Sequence, residues 1–291
     1  MFKRLCVIGL GMIGGSIAKA ARLRNLCEEI VALDREQNAV NLQLAMEHGV
    51  IDRFYTDASA ALTNADIVII AAPVGAMHGI FQQIAPFWRA DCLYSDTGST
   101  KASVIQAAEQ AFGGAPPNFV PAHPIAGAER SGVAAANAEL FTNRRLIITP
   151  LPNTDANKLA ELTRFWERLG SSVSEMNVEH HDTVLAATSH LPHILAFALV
   201  GLLGRKDEQR EIFKYAASGF KDFSRIASSD PTMWLDICLA NKHELLPLIR
   251  QYQAELETIA QMLAEDQTEQ LFETFTYAGH ARQRYLDQLD D

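Results

Sequence analysis

The sequence predicts an α/β domain on a mostly parallel sheet, followed by an all-α domain, and three observations carry that expectation. The first half alternates short β-branched runs with helical patterns, as βαβ units do. A Gly-x-Gly-x-x-Gly turn stands where the first run meets the first helical pattern. Near residue 178 the β-branched runs end, and apolar residues recur at three- and four-residue steps from there on. The expected division is 1–177 and 178–291.

"RLCVIGL" (4–10) reads as a buried strand, and "MIGGSIAKAARLRN" (12–25) as the helix that follows it. "EIVALD" (29–34) is a second strand, and "REQNAVNLQLAMEHG" (35–49) a helix ending at a glycine. "ADIVIIAAP" (65–73) and "CLYSDTG" (92–98) are further strands, the latter leading into the helix "STKASVIQAAEQAF" (99–112). "NFVPAHP" (118–124) and "RRLIITP" (144–150) complete the strand set. Beyond the boundary, "HHDTVLAATSHLPHILAFALVGLLG" (180–204) reads as a long buried helix. Its Ser, His and Pro residues favour a core helix over a membrane span. Asp230 and Pro231 mark the N-cap and first position of another helix. Leu245, Leu248, Ile249, Tyr252, Leu256, Ile259 and Leu263 line one face of an amphipathic helix. Asn241 and Glu244 are spaced as its capping box, and Pro247 falls in its early turns. The segment 268–286 reads as a last helix pair.

Composition narrows the function classes. The 291 residues are 48% hydrophobic and 21% charged, a soluble globular profile. The net charge of −10 argues against nucleic-acid binding, which rests on basic patches. It still allows a small anionic substrate, because one local arginine overrides the global field. Cys6, Cys27, Cys92 and Cys238 are scattered without a C-x-x-C pair, as buried reduced thiols are. No secretory signal and no long uninterrupted apolar run is visible, so the expected location is cytoplasmic, with no membrane partner.

The glycine turn is Gly9-x-Gly11-x-x-Gly14. Gly9 suits the tight turn, Gly11 lets backbone approach a pyrophosphate, and Gly14 lets helix and strand pack closely. Met12 and Ile13 open the helix whose free N–H groups would face the phosphates. Asp34 ends the second strand, where an acid bonds the adenine ribose and favours NAD. Arg35 follows and keeps NADP open; FAD is a further alternative. The domain is thus expected to be a Rossmann-type dinucleotide-binding domain. Such sheets bind ligands beyond the carboxyl ends of their strands. "AAPVG", "SDTGSTK" and "AHPIAGAERSG" all follow such ends, adding Pro73 and Thr97 to the cofactor side.

Ser99 and His123 would face the same crevice. His123 has a general base's ordinary pKa range, and Ser99 is suited to orienting a hydroxyl or the histidine. Arg225, between Phe223 and Ile226 in sequence, is suited to a carboxylate clamp; a surface ion pair is the alternative. His181, His190 and His193 lack the spacing zinc sites usually use, so no metal is expected.

"GLGMIGGS", "DTGSTK", "HPIAGAERSG", "HHDTVLAATSHLPH" and "GFKDFSRIASSDPTMW", in this order, closely resemble the prephenate/arogenate (cyclohexadienyl) dehydrogenases of tyrosine biosynthesis over nearly the whole chain. The resemblance implies an NAD(P)-dependent oxidative decarboxylation. His123 would accept the proton of a ring hydroxyl, Ser99 would position it, and Arg225 would bind a substrate carboxylate. His193, with His190 beside it, would reach the substrate, while Glu129 and Asp222 would form an ionic gate with the arginine. The resemblance also implies a homodimer through the helical domain. Prephenate against arogenate stays open at this point. β-Hydroxyacid dehydrogenases are disfavoured because the apolar helix 182–203 has no lysine. Pyrroline-5-carboxylate reductases would not need His123, and a non-catalytic NAD sensor would not need Ser99, His123 and Arg225 together.

Overall fold

The computed structural model describes residues 2–127 and 132–290. Six parallel strands form the first sheet: β1 (Phe2–Ile8), β2 (Cys27–Leu33), β3 (Arg53–Tyr55), β4 (Ile67–Ile70), β5 (Leu93–Asp96) and β6 (Phe119–Val120). Their order is β3-β2-β1-β4-β5-β6, so the direction of winding reverses between β1 and β4. Helices α1 (Met12–Leu23), α2 (Ala39–Glu47), α3 (Ala58–Leu62), α4 (Met77–Ile84) and α5 (Ala102–Phe112) make the crossovers.

The central strands are apolar throughout because both faces are covered. Leu5, Val7, Ile30, Ala32, Ile67 and Ile69 pack into one core layer with Ile17 and Ala20 of α1. Cys6, Ile8, Val31, Leu33, Val68 and Ile70 pack into the other with Met77 and Phe81 of α4. The phenylalanine ring of Phe81 meets Phe119 edge-on at 5.2 Å, pinning β6 to that layer.

The segment 118–124, expected as one strand, is two. After β6 the chain passes Pro121, which has no N–H for a ladder, and enters β7 (Ala122–Pro124) of a second sheet. There β7 runs antiparallel to β8 (Arg145–Ile148), which pairs in parallel with β9 (Ser172–Glu175) across α6 (Ala156–Arg168). His123 therefore sits in a strand of the second sheet, opposite Ile147, rather than at the end of one continuous strand.

After β9 the described elements are helical: α7 (Val178–Leu185), a π-turn (Ala186–His190), α8 (Leu191–Gly204), α9 (Gln209–Lys214), α10 (Ser218–Ser224), α11 (Pro231–Ala240), α12 (Lys242–Ala264) and α13 (Thr268–Asp290). Asn177 caps α7 through His180 N–H, and Asp230 caps α11 through Met233 N–H. The expected last helix pair is a single helix, α13. Pro247 lies inside α12, which runs on past it. The chain divides into two compact units, Met1–Lys242 and His243–Asp291, so α7 to α11 share a unit with the sheets.

The apolar helix expected to be buried is not. From Val178 to Gly204 the chain is one helix of mean hydropathy 1.6, and 22% of that window is buried. It is long and apolar enough to cross a membrane. Its other side carries His181, Asp182 and His190 into the protein interior, all at most 5% exposed.

One buried ion pair joins the two sheets. Lys101 and Asp96 are both 0% exposed. Lys101 Nζ donates to Asp96 Oδ2 and to the Ala122 carbonyl, while Asp96 accepts from Gly98 N–H and Ala122 N–H. Removing one charge strands the other in the interior. Lys101→Met is expected to cost about 3–5 kcal/mol in urea unfolding, and adding Asp96→Asn to recover part of it. A loss under about 1 kcal/mol is what an exposed pair would give, and would contradict this account.

Candidate active site

The glycine turn fits a dinucleotide. Gly9 has φ +87°, and a Cβ there would press on the Ala71 carbonyl oxygen at 2.7 Å. A Cβ on Gly14 would run into the Gly9 carbonyl oxygen and Val7. Gly11, by contrast, has open space where its Cβ would be, and it is the N-cap of α1 without a side-chain cap. The N–H groups at Met12 and Ile13 are therefore presented to an anion at a positive helix end. At the end of β2, Asp34 Oδ2 accepts from Leu10 N–H of the same turn (3.0 Å), and Oδ1 accepts from Arg35 N–H and Asn38 Nδ2. That places a half-buried carboxylate beside the glycine turn, with Arg35 exposed next to it. Pro73 follows β4 and Thr97 follows β5, its N–H bonded to the Ile70 carbonyl. All these segments lie at the carboxyl edge of one parallel sheet.

His123 belongs to a hydrogen-bonded chain that sequence reasoning did not find. Its Nδ1 lies 3.0 Å from His181 Nε2, and His181 Nδ1 lies 2.7 Å from Asp182 Oδ1. Asp182 also accepts from Lys101 N–H (2.8 Å) and Ala102 N–H (2.9 Å), the N-cap and first residue of α5. A carboxylate at a helix N-terminus meets the positive end of its dipole. These bonds hold the Asp182 carboxyl below the usual carboxylate range against the opposing effect of burial. Burial, reinforced by His181, Lys101 and His190, pushes His123 well below the ordinary imidazole value. Among the described residues, His123 Nε2 has no protein partner. Ser99 is half-buried, two residues before Lys101, on the loop whose amides hold Asp182.

The π-turn accounts for the other two histidines. Pro192 cannot donate to the carbonyl four residues back, and its ring would crowd that carbonyl in a regular α-helix. The chain widens to a π-turn there, a feature often found at functional sites. His193 Nδ1 donates to the Ser189 carbonyl at 2.9 Å, leaving Nε2 as the ring's lone pair. Its ring stacks on Trp234 at 3.7 Å. His190, expected beside the substrate, is 1% exposed. Its Nδ1 accepts from Asn241 Nδ2 at 3.2 Å, and the same amide donates to the Asp182 carbonyl. Asn241, expected as a helix cap, is thus tied into the site. Burial pushes His190 down to about 4.

Arg225 opens a 3₁₀ turn (Arg225–Ser228) that packs against α8, the helix of His193. Arg225, Asp222 and Phe223 are exposed in the single chain. Glu129 lies outside the described residues. The roles of Asp96, Lys101, His181, Asp182 and Asn241 were missed, although the first four lie inside the quoted motifs DTGSTK and HHDTVLAATSHLPH, which was their one signal.

Residues 17–175 match the model of the prephenate dehydrogenase nucleotide-binding domain, and residues 177–277 that of the prephenate dehydrogenase dimerization domain. The chain is 35% identical to the cyclohexadienyl dehydrogenase of Zymomonas mobilis, over 97% of this chain and 96% of that protein. It is 35% identical to the prephenate dehydrogenase of Bacillus subtilis, over 96% of this chain and 75% of that one. Among solved structures, prephenate dehydrogenase from A. aeolicus, in complex with hydroxyphenyl propionate and NAD+, superposes with a TM-score of 0.90 at 32% identity, covering 98% of both chains. Synechocystis arogenate dehydrogenase does so with a TM-score of 0.79 at 26% identity, covering 97% of this chain and 99% of that one.

The buried histidines predict how stability responds to acid. His123, His181, His190 and His193 all have folded values below their unfolded value of about 6.5. Above that value both states are neutral and stability is fully present. As pH falls through 6.5 the unfolded chain takes up protons the folded chain refuses, so stability declines toward about pH 4, where His190 titrates. The urea midpoint is expected to hold between pH 8 and 7 and to fall steadily from pH 6.5 to 4.5. A midpoint unchanged over that range contradicts buried neutral imidazoles.

Proposed function

The chain belongs to the prephenate dehydrogenase family, and from that premise we propose how its residues carry out the reaction. The protein is an NAD(P)-dependent oxidoreductase that oxidatively decarboxylates prephenate and/or arogenate, in tyrosine biosynthesis. When bound, NAD supplies the hydride acceptor. Gly9, Gly11, Met12, Ile13, Gly14, Pro73 and Thr97 hold it, Asp34 reads its adenine ribose, and Arg35 leaves room for a 2′-phosphate.

The observation that carries the catalytic assignment is the His123 ring, fixed at Nδ1 by His181 and bare at Nε2. A neutral, buried imidazole with a free lone pair is the state a proton acceptor needs before turnover. His123 accepts the proton of the ring hydroxyl, and Ser99 positions that hydroxyl. Arg225 binds a substrate carboxylate, and Asp222 and Glu129 form an ionic gate around it. His193, with Nε2 open and its ring held by Trp234, contacts the substrate; His190 supports the site from behind. No further decarboxylation catalyst is required, because aromatisation drives the loss of CO₂ once positioning and proton acceptance are provided. The functional division falls at 177/178, cofactor binding before it and substrate binding and dimerisation after it.

The second domain also suits a homodimer. Leu202 on α8 and Leu235 and Leu239 on α11 are 55%, 57% and 60% exposed. Phe272, Phe275 and Tyr277 on α13 are exposed in the same way. Exposed apolar side chains of this kind, on each of the two compact units taken by itself, suit association with another chain. A second copy covering it explains an apolar helix that needs no membrane. Four cysteines without a disulfide accord with a cytoplasmic location.

Absorbance of NADH in the presence of prephenate or arogenate tests the activity, and no reduction with either substrate removes it. His123→Asn is expected to lower turnover by at least about 10²-fold while NAD affinity stays near normal. Arg225→Gln is expected to weaken substrate binding by about 2–5 kcal/mol, seen in KM; an unaltered KM rejects the clamp. Light scattering is expected to give twice the 32.0 kDa chain mass, and Leu239→Glu to lower it; a monomeric wild type rejects the dimer.

A further inference from the structure

We propose that His181 and Asp182 form a positioning relay that decides which nitrogen of His123 faces the substrate and shares the proton His123 borrows during turnover. The proposal rests on the reading of His123 as the proton acceptor.

The donor and acceptor count fixes the direction of the relay. Asp182 meets two backbone N–H groups, Lys101 and Ala102, which can only donate. Its oxygens are therefore acceptors, and the bond to His181 must be donated by His181 Nδ1–H. His181 is fully buried, and burial keeps it neutral. Its Nε2 is then a lone pair, so the 3.0 Å bond must be donated by His123 Nδ1–H. The lone pair of His123 is left at Nε2. Reversing any bond would place a proton at Nε2 and disable the ring as an acceptor.

The reaction gives the relay work to do. With prephenate, the hydroxyl O–H bond breaks and its proton passes to His123 Nε2, while C4–H leaves with its electron pair as hydride to the nicotinamide. C4–O becomes a carbonyl. The bond to the ring carboxylate then breaks, CO₂ leaves, and the electron pair moves through the ring onto that oxygen. The resulting phenolate takes back the proton from His123, so none is released. In the interval a buried imidazolium must exist, and burial disfavours it. The charged and titratable groups around the pair are Lys101, Asp96, Asp182 and His190. Lys101 repels the new charge and is itself paired with Asp96. Asp182 is the anion in contact with the relay. When the Nδ1–H bond of His123 breaks and an Nε2–H bond forms on His181, the positive charge moves against Asp182. The shift reverses as the phenolate is protonated.

The test uses the 291-residue chain with NAD and ¹⁵N-labelled histidine. In the wild type, the ¹⁵N spectrum is expected to show His123 protonated at Nδ1 and bare at Nε2. In Asp182→Asn the amide can donate to His181 Nδ1, which inverts both rings and protonates His123 Nε2. Turnover is then expected to fall about 10²- to 10⁴-fold, with KM and NAD affinity within about threefold. His181→Gln keeps an oxygen to accept from His123 Nδ1 but cannot carry the proton. It is expected to retain the His123 tautomer and lose about 10- to 100-fold in kcat. A wild-type His123 protonated at Nε2 overturns the relay, as does wild-type kcat in either variant. Should Asp182→Asn fail to fold, the wild-type spectrum and His181→Gln decide. His123→Asn separates the two ideas. If it is inactive while the relay variants are normal, the relay alone fails; if it is active, the proton-acceptor reading fails.

Discussion

A fully buried lysine, Lys101, holds Asp96 on one side and the carbonyl of Ala122 on the other, and its own N–H holds Asp182. Those contacts join the end of β5, the start of β7 and the helix α7. They set where His123, Ser99 and His181 stand relative to one another. A buried ion pair is a weak source of net stability, because desolvating both charges offsets much of their attraction. Its value here is geometric. Each partner has further donors or acceptors satisfied by backbone, so the loop from Asp96 to Lys101 has little freedom to shift.

Around that pair the site is built from neutral imidazoles. Burial alone would explain why His123, His181 and His190 resist protonation, but burial does not choose tautomers. Fixed neighbours do. Backbone amides fix Asp182, Asp182 fixes His181, and His181 fixes His123. Asn241 fixes His190, and the Ser189 carbonyl, in the π-turn beside Pro192, fixes His193. Side chains orient three of these rings and a backbone carbonyl of the π-turn orients the fourth.

The same helix faces two ways. Its inner side delivers His181, Asp182 and His190 to the interior, while most of its apolar window is uncovered in a single chain. A sequence pattern reports how apolar a helix is, not what covers it. A core helix, a membrane span and an association face share one hydropathy. The family assignment and the polar residues on the inner side favour the third.

Much of this protein was legible from the chain alone. Periodicity marked the parallel α/β part and the helical part, because strand and helix repeats are local. The glycine turn and Asp34 were legible because φ, close approach and strand-end position are tied to short spacings. Five motifs in order identified the family. What tertiary structure decided was everything that depends on two distant segments meeting. Pro121 splits 118–124 between two sheets, which moves His123 from the end of a single strand to a strand of the second sheet, opposite Ile147. Asp96 with Ala122, Lys101 with Asp182, and His123 with His181 are contacts between separate elements. A side chain's residue type is written in the sequence, but its tautomer and charge depend on the neighbours folding brings to it. The sequence by itself therefore determined the residue types near a glycine turn built for a dinucleotide, His123 among them; the fold decided that His123 meets His181 through Nδ1, because that contact joins two segments far apart in the chain.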